Sequence, residues 1–568
     1  MALPKLPSPR ALKNRWRRTP PSIPPSAWTP LLKAQHRQWR DAIRAAKRGP
    51  RVLLAPSMGG YPHAAFLESA LAVALTLRGA NVEILLCDSF LSACQLTEFQ
   101  HTAPERVLAA PPQPRCASCE PMGKSMFEPL GLKTHRYSQW TTAKQLADAR
   151  ALAQQIPIER VGEYRRHDGA LDLAVGEHAL AGALRYFARG DLDGEPYAEQ
   201  VTRRYVEAAL ATVSVTENLL RQNKHSIACF NHGLYVPQGL IGEVARQRGV
   251  RVVNWNPAYR KQTFVFSHSD TYHHTMISEP TAVWENLTWS PAIEKQTLDY
   301  LASRRYGTQD WIWFHDEPAE DMQALARELG IDFTRPVIAL LTSVMWDAQL
   351  HYRSNAFPNM LEWVRQTIAY FAQRPDLQLV IRIHPAEVRG GNPSRQLLAQ
   401  EIQRAFPELP RNVFVLPPEH QASTYALVER CDSALIYNTK TGIEIASMGI
   451  PVVVAGEAWI RGKGFSLDAQ SPQEYIEILE RLPLQKRMTA AEIERARKYA
   501  FHFFFRRMIP LPFIQTGAGG KLEFKLEALT DLAPGRLNGL DVVCDGILNG
   551  TPFIYPAEYF GERVIAKQ

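Results

Sequence analysis

Cysteine is scarce in this chain, with seven in 568 residues, and long apolar runs are missing. None approaches the ~20 residues needed to cross a bilayer. The first shortage excludes a disulfide-built secreted scaffold, and the second argues against a helical membrane span. The N-terminus lacks an apolar stretch followed by an Ala-x-Ala-like site, so no secretory leader is expected and a cytoplasmic protein is the default. No short-period repeat is present. Acidic residues are missing from the first 50 positions apart from Asp41, while twelve Lys/Arg stand there, so the basicity belongs to that segment and not to the folded body.

Residues 1–50 also hold Pro20, Pro21, Pro24, Pro25 and Pro30, with Trp16, Trp28 and Trp39. Such a composition predicts a basic, Pro-rich arm whose first 30 residues are not packed. It could be a solvated arm, or it could lie on nucleic acid or on an anionic membrane. Of the two partners, the membrane surface is the one carried forward, with no nucleic acid.

The length exceeds one hydrophobic core and predicts two or more domains. Arg51–Pro56 reads as a buried strand, then Ser57-Met-Gly59-Gly60, a helix over 62–78 and a strand over 81–88. Ser226–Asn231, a helix over 238–248 and Arg251–Trp255 repeat that order. This is the pattern of a doubly wound α/β domain over 51–280. Residues 281–330 read as a helical connector. A second series of strands and helices over 331–485 gives a second doubly wound domain, and 486–568 read as helices and a tail with a turn at Gly517-Ala-Gly519-Gly520. The fold class is therefore α/β, with two doubly wound Rossmann-like domains facing a cleft.

Two stretches in the second domain carry chemistry. Leu377–His384 is an apolar strand that ends in Arg382-Ile-His384-Pro385, and Asn438-Thr-Lys-Thr441-Gly442-Ile-Glu444 follows another. In open α/β sheets the crevice beyond the carboxyl ends of the strands binds ligands. Thr441 and Gly442 stand at an expected helix N-terminus, where free N–H groups and the dipole favour phosphate. Arg382 is two residues from His384 and so shares its face of the strand, where it would add positive charge at a leaving group. Pro385 would stop the ladder and fix the turn that presents His384. Glu444 is one turn from Thr441, on the same helix face, and is either a capping-box partner or a ligand contact; the ligand role is preferred. Lys440 is a second phosphate candidate, Ser343 a contact at the end of the first strand of this domain, and Asn438 a member of the loop.

In the first domain Ser57-Met-Gly59-Gly60 lacks the full Gly-x-Gly-x-x-Gly pattern, which argues against a dinucleotide, while Gly59 and Gly60 let a ligand approach the backbone. His63 and His232 each follow a strand end and are base candidates, with Asp88 or Asp270 equally placed by sequence. Residues 254–274 read as a loop for acceptor recognition through Asn254, Asn256, Tyr259 and Arg260. His268, His273 and His274 with Asp270 fit no standard zinc spacing. Cys87, Cys94, Cys116 and Cys119 form a second cluster, read either as free thiols or as a structural zinc site outside the chemistry.

His384-Pro385 followed by Thr441-Gly-Ile-Glu-Ile-Ala-Ser-Met-Gly-Ile-Pro resembles the capsular polysaccharide biosynthesis proteins, within the GT-B glycosyltransferases. That resemblance includes transferases of Kdo from its CMP-activated form, and it is clearest over about 330–480. It implies an inverting or retaining transferase with a nucleotide-sugar donor, CMP-Kdo-like, and a glycan or lipid-linked acceptor. It implies His384 and Thr441 at the donor phosphate, Glu444 at ribose, no cofactor and no metal in the chemistry. With a lipid-linked acceptor, the basic arm over residues 1–50 would keep the chain peripheral at the inner membrane face. The rivals are a nucleotide-sugar 2-epimerase, whose Ser-Gly-Gly phosphate loop is replaced here by Asn438–Gly442, and a non-catalytic scaffold of polysaccharide assembly or export.

Overall fold

The computed structural model describes residues 26–109, 111–311, 314, 317–348, 354–484, 487–517 and 521–560. Its strands, in chain order, are β1 (Arg51–Ser57), β2 (Asn81–Leu86), β3 (Lys133–Arg136), β4 (Arg166–Asp168), β5 (Leu171–Leu173), β6 (Ile227–Asn231), β7 (Arg251–Pro257) and β8 (Thr263–His268) in the first half. The second half holds β9 (Val337–Leu341), β10 (Gln378–Arg382), β11 (Val413–Leu416), β12 (Ser433–Ile436), β13 (Val452–Val454), β14 (Leu467–Asp468), β15 (Ile509–Pro510), β16 (Ile514–Thr516) and β17 (Leu522–Phe524).

Two sheets dominate. The first has the order β15-β8-β7-β6-β1-β2-β3, and the second β11-β10-β9-β12-β13-β14. Every pairing in the second sheet is parallel, and its central strands β9, β10, β12 and β13 are mostly Val, Ile, Leu and Ala buried on both faces, as a sheet sandwiched by helices requires. In the first sheet β1, β2, β3, β6 and β7 are parallel, while β8 turns back antiparallel to β7 and β15 antiparallel to β8. Each sheet reverses its winding once, between β1 and β6 and between β9 and β12. These two points are where an open sheet binds its ligand.

Three expectations are corrected. Residues 28–46 are not part of an arm. Trp28–Ala34 and His36–Ala46 are helices, Trp28 and Trp39 are buried, and the Trp39 indole donates to the Leu130 carbonyl at 2.8 Å. Trp39, Ala42, Ile43 and Ala46 follow an i, i+3, i+4, i+7 stripe that faces inward, while Lys33, Arg37, Arg40 and Arg44 stay exposed. Burial of each indole stabilises by roughly 2–3 kcal/mol, and the exposed cations do not oppose it. The N-terminal part of the arm, residues 1–25, lies outside the described residues, as do Gly519 and Gly520 of the expected turn.

Second, the described residues among 487–560 are not a tail beside the helices. β15 extends the first sheet, and the helix Asn538–Asn549 lies on that domain, where Arg78 pairs with Asp541 at 2.5 Å. Third, residues 254–268 are not a loop but the hairpin β7–β8. Alternation of apolar and polar residues there reflects sheet pleat, with the polar positions buried.

Candidate active site

At the second reversal point, the residues after β9, β10 and β12 come together. The His384 N–H donates to the Thr342 hydroxyl at 3.0 Å, and His384 Nδ1 accepts the Ala386 N–H at 3.0 Å. That second bond fixes the proton of the neutral ring on Nε2, making Nε2 a donor. The Ser343 hydroxyl donates to Asn438 Oδ1, joining the end of β9 to the end of β12. The Thr439 hydroxyl donates to the Thr441 hydroxyl at 3.2 Å. Hydroxyls, an amide and an imidazole N–H thus line one crevice. Thr342 and Thr439, not singled out in the sequence, belong to it.

Other residues assigned to the donor are committed elsewhere. Arg382 is buried and donates to the carbonyls of Pro417 at 2.8 Å and His420 at 2.9 Å. It braces the loop after β11 instead of the site, because a buried guanidinium needs acceptors. Glu444 is buried among Lys440 (2.9 Å), Arg304 (3.1 Å) and the Tyr425 hydroxyl. Its carboxyl is held down to about 2 by those cations against the opposing effect of burial. The helix Thr441–Ser447 has Lys440 as its N-cap, so Glu444 is one position too late for a capping box, and its carboxylate is taken up by Lys440, Arg304 and Tyr425 instead of being open to ribose. Lys440 also sits over the Tyr259 ring at 4.7 Å. Gly442 is a packing glycine, since a Cβ there would stand 2.6 Å from Ile436 Cδ1 and 2.8 Å from Ile460 Cδ1.

The first reversal point is lined by His63 after β1, by Asn231 at the end of β6 and His232 just beyond it, and by Asn254 on β7. His63 Nε2, His232 Nδ1, Asn231 Oδ1, Gln238 Oε1 and both amide atoms of Asn254 are buried with no hydrogen-bond partner among the described residues. Buried polar atoms in that condition are satisfied by water or ligand. Burial lowers His63 to about 4, and burial with the Arg185 charge lowers His232 to about 3. His273, stacked on His232 at 5.8 Å, is lowered to about 3 by burial first. All three rings are neutral at neutral pH.

Several acceptor assignments do not hold. Gly59 and Gly60 are covered by the helix Cys116–Phe127, and the Gly60 N–H donates to Cys119 Sγ at 3.2 Å. Arg260 is buried, donates to the Phe504 carbonyl at 3.0 Å and lies over the Phe505 ring at 4.2 Å. Tyr259 packs on Trp459 and Phe503. Asn256 accepts from Asn231 at 2.8 Å, so it positions Asn231. Asp270 is paired with His274 at 2.9 Å and Asp88 with Ser138 at 3.2 Å, whereas His268 bonds the Thr551 carbonyl at 2.8 Å.

The two crevices face one another. The Tyr235 hydroxyl, after β6, donates to Asp347 Oδ1 at 3.0 Å and accepts the Ala348 N–H at 2.9 Å, both from the loop after β9. The Trp459 indole donates to the His273 carbonyl at 3.3 Å. The connector threads between them: Trp311 meets the His63 ring edge-on at 5.5 Å, and Phe314 meets His384 at 5.4 Å. Asp347 is exposed and its charge bears on Tyr235, Tyr272 and His273. It is a carboxylate at the mouth of both crevices that the sequence did not single out. A polar cavity of about 290 Å³ lies elsewhere between the domains, lined by Arg189, Asp191, Arg365, Gln396 and Arg404 among others. Its Gln396–Asp191 and Arg404–Glu401 contacts satisfy one another, so it is not read as the site.

Residues 315–497 match the family described as capsule polysaccharide biosynthesis protein. No curated protein matches the chain. Among solved structures it is similar to the KpsC beta Kdo 2,4 transferase of Thermosulfurimonas dismutans, 14% identical, covering 54% of this chain and 87% of that one, with a TM-score of 0.33. The KpsC beta Kdo 2,7 transferase of the same organism is 12% identical, covering 56% and 88%, at 0.31. UDP-GlcNAc 2-epimerase from Neisseria meningitidis is 12% identical, covering 80% and 94%, at 0.26. All three TM-scores are too low to bear on the site. Through residues 315–497, which span the whole second sheet and both of its motifs, the chain resembles the capsule polysaccharide biosynthesis proteins, as His384-Pro385 and Thr441–Pro451 implied.

Proposed function

We propose that this chain is a glycosyltransferase of capsule or surface polysaccharide synthesis that takes a sugar from a nucleotide donor, CMP-Kdo-like, to a glycan or lipid-linked acceptor. The observation that carries this reading is the cluster of His384, Thr342, Ser343, Asn438, Thr439 and Thr441 at the second reversal point, opposite a first reversal point rich in unpartnered buried polar atoms. His384 Nε2–H and the Thr441 hydroxyl donate to the donor phosphate as the glycosidic bond breaks and charge grows on the leaving oxygen. Asn231, His232, Asn254 and His63 orient acceptor hydroxyls. Asp347, held by Tyr235, takes the proton of the attacking hydroxyl. Contacts across the cleft limit water at the reacting carbon. Six Lys/Arg and no acidic residue in positions 1–25 would hold the chain beside an anionic lipid surface bearing its acceptor.

A thermal-shift series with CMP, UDP, GDP and ADP tests the donor, because a ligand of the folded state raises the melting temperature by mass action. A shift with CMP alone is expected. A shift with UDP or GDP alone would discard the Kdo-like donor and keep the transferase class. With the donor known, His384→Ala should lower transfer by a factor of about 10² or more, matching the ~3 kcal/mol that one preorganised donor supplies. Full activity in that variant would sink the phosphate assignment.

A further inference from the structure

Gly390-Gly391-Asn392-Pro393 follows the short helix Ala386–Arg389, which is set directly behind His384-Pro385. Two glycines, an asparagine and a proline make a turn sequence with no ladder of its own. An exposed loop is the ordinary outcome. Here Asn392 and Gln396 are only 7% and 4% exposed, because their side chains lie on the first domain.

The place they meet is the C-terminus of the helix Val175–Phe187, which stops at Ala188 in the left-handed region, at φ 51°. Helix ends leave carbonyls short of partners and carry the negative end of the dipole. Asn392 Nδ2 donates to the Arg185 carbonyl at 3.0 Å, and the Arg395 N–H to the Ala188 carbonyl at 2.9 Å. The Arg395 guanidinium pairs with Glu195 at 2.9 Å and covers the Phe99 ring at 3.6 Å. Gln396 is matched at both ends of its amide. Its Oε1 accepts the N–H groups of Gly190 at 2.8 Å and Asp191 at 3.3 Å, and its Nε2 donates to Asp191 Oδ2 at 2.6 Å and Glu401 Oε1 at 3.2 Å.

The same segment reaches the two groups assigned to the chemistry. The Ser394 N–H donates to the Glu387 carbonyl at 2.7 Å, inside the helix that follows His384. The Ser394 hydroxyl accepts the Trp346 indole N–H at 3.0 Å, and Trp346 is the neighbour of Asp347. The circuit closes through Arg185, whose guanidinium lies over the Tyr235 ring at 5.4 Å and the Trp346 ring at 5.5 Å. We propose that residues 391–396 are a strap through which the first domain positions His384 and Asp347, with Gln396 as its main positioning residue. Parting of the domains pulls the strap, and the phosphate contact and the base are lost together. Closure and readiness for transfer are then one event. That the two positioned groups serve transfer rests on the transferase reading; the coupling itself does not.

Gln396→Glu keeps the shape of the side chain but sets a carboxylate against Asp191 and Glu401, so the repulsion falls on the domain junction and not on either sheet. Hydrogen exchange of the full chain should quicken about tenfold or more at 384–389 and 342–348, with protection kept in β6 and β12. Gln396→Glu/Asp191→Asn exchanges donor and acceptor and should return both segments to wild-type rates. Arg395→Ala, which removes the Glu195 pair and the cover of Phe99, should give the same pattern more weakly, and it carries the test if Gln396→Glu does not fold. Quickening confined to 188–191 and 391–396 would overturn the strap, as would wild-type rates throughout in Arg395→Ala and Gln396→Glu. Once the donor is identified, kcat should fall about tenfold in Gln396→Glu with the donor KM within about twofold, and the double variant should recover it. Unchanged kcat beside quickened exchange would remove the positioning role. The expected exchange pattern in a chain that transfers from no donor would keep the strap and sink the transferase reading.

Discussion

Glu444 joins three partners in a space closed to water, and that decides its role. Two cations, Lys440 and Arg304, rest on its carboxylate, and Arg304 also pairs with Asp310. Removing one member of a buried ion cluster leaves the others uncompensated, at a cost of ~3–5 kcal/mol. Glu444→Ala should therefore lower the urea midpoint strongly, with Glu444→Gln in between. Unchanged stability with weakened donor binding would return the residue to the ribose. The neutral histidines make a second prediction. His63, His232 and His273 fold with values of about 4, 3 and 3 against an ordinary 6.5. Below pH ~6.5 the unfolded chain binds protons there and the folded chain does not, so stability present above that pH is lost as pH falls toward the folded values. Melting temperature should drop between pH 7 and 5, and His232→Asn should flatten the slope. A profile identical to wild type would contradict the buried neutral ring.

Two glycines contrast at the scale of elements. A Cβ on Gly442 meets the flexible ends of Ile436 and Ile460, which can shift. The ~1–3 kcal/mol of overpacking is partly offset by the ~1 kcal/mol gained in helix propensity. A Cβ on Gly59 overlaps the backbone of Gly123 and Cys119, which cannot give. Gly59→Ala should therefore cost more than Gly442→Ala, lifting the helix Cys116–Phe127 from the turn. Limited proteolysis within 87–125 would rise in the first variant and not in the second. Equal effects would contradict the reading of Gly59 as a contact of two backbones.

For the whole molecule, the cleft is held across by the Tyr235 hydroxyl, which bonds Asp347 and Ala348. Tyr235→Phe removes both bonds, each worth about 1 kcal/mol net. Hydrogen exchange over 342–348 should quicken while the helix Pro62–Leu77 keeps its protection, and transfer should fall more than stability. Unaltered exchange at 342–348 would show that other contacts close the cleft.

Alternating strands and helices, and the positions of His384 and Thr441 after strand ends, were legible because backbone pleat and helical period are written locally. The apolar runs 52–55, 338–341 and 379–381 read as buried strands through their length and flanking turn residues, and each is a strand of one of the two sheets. The stripe of Trp39, Ala42, Ile43 and Ala46 was equally present, but the charge and proline around it masked it. Which polar groups serve the cleft was decided only by tertiary structure. Arg382 turns to loop carbonyls, Glu444 to two cations and Gly60 to a thiol, because each buried polar group takes the nearest partner in space, whatever its distance along the chain. Asp347 reaches the first domain for the same reason. Local sequence determined the two sheets and the strand ends that carry ligand chemistry. Long-range packing decided which side chains remain there to do it.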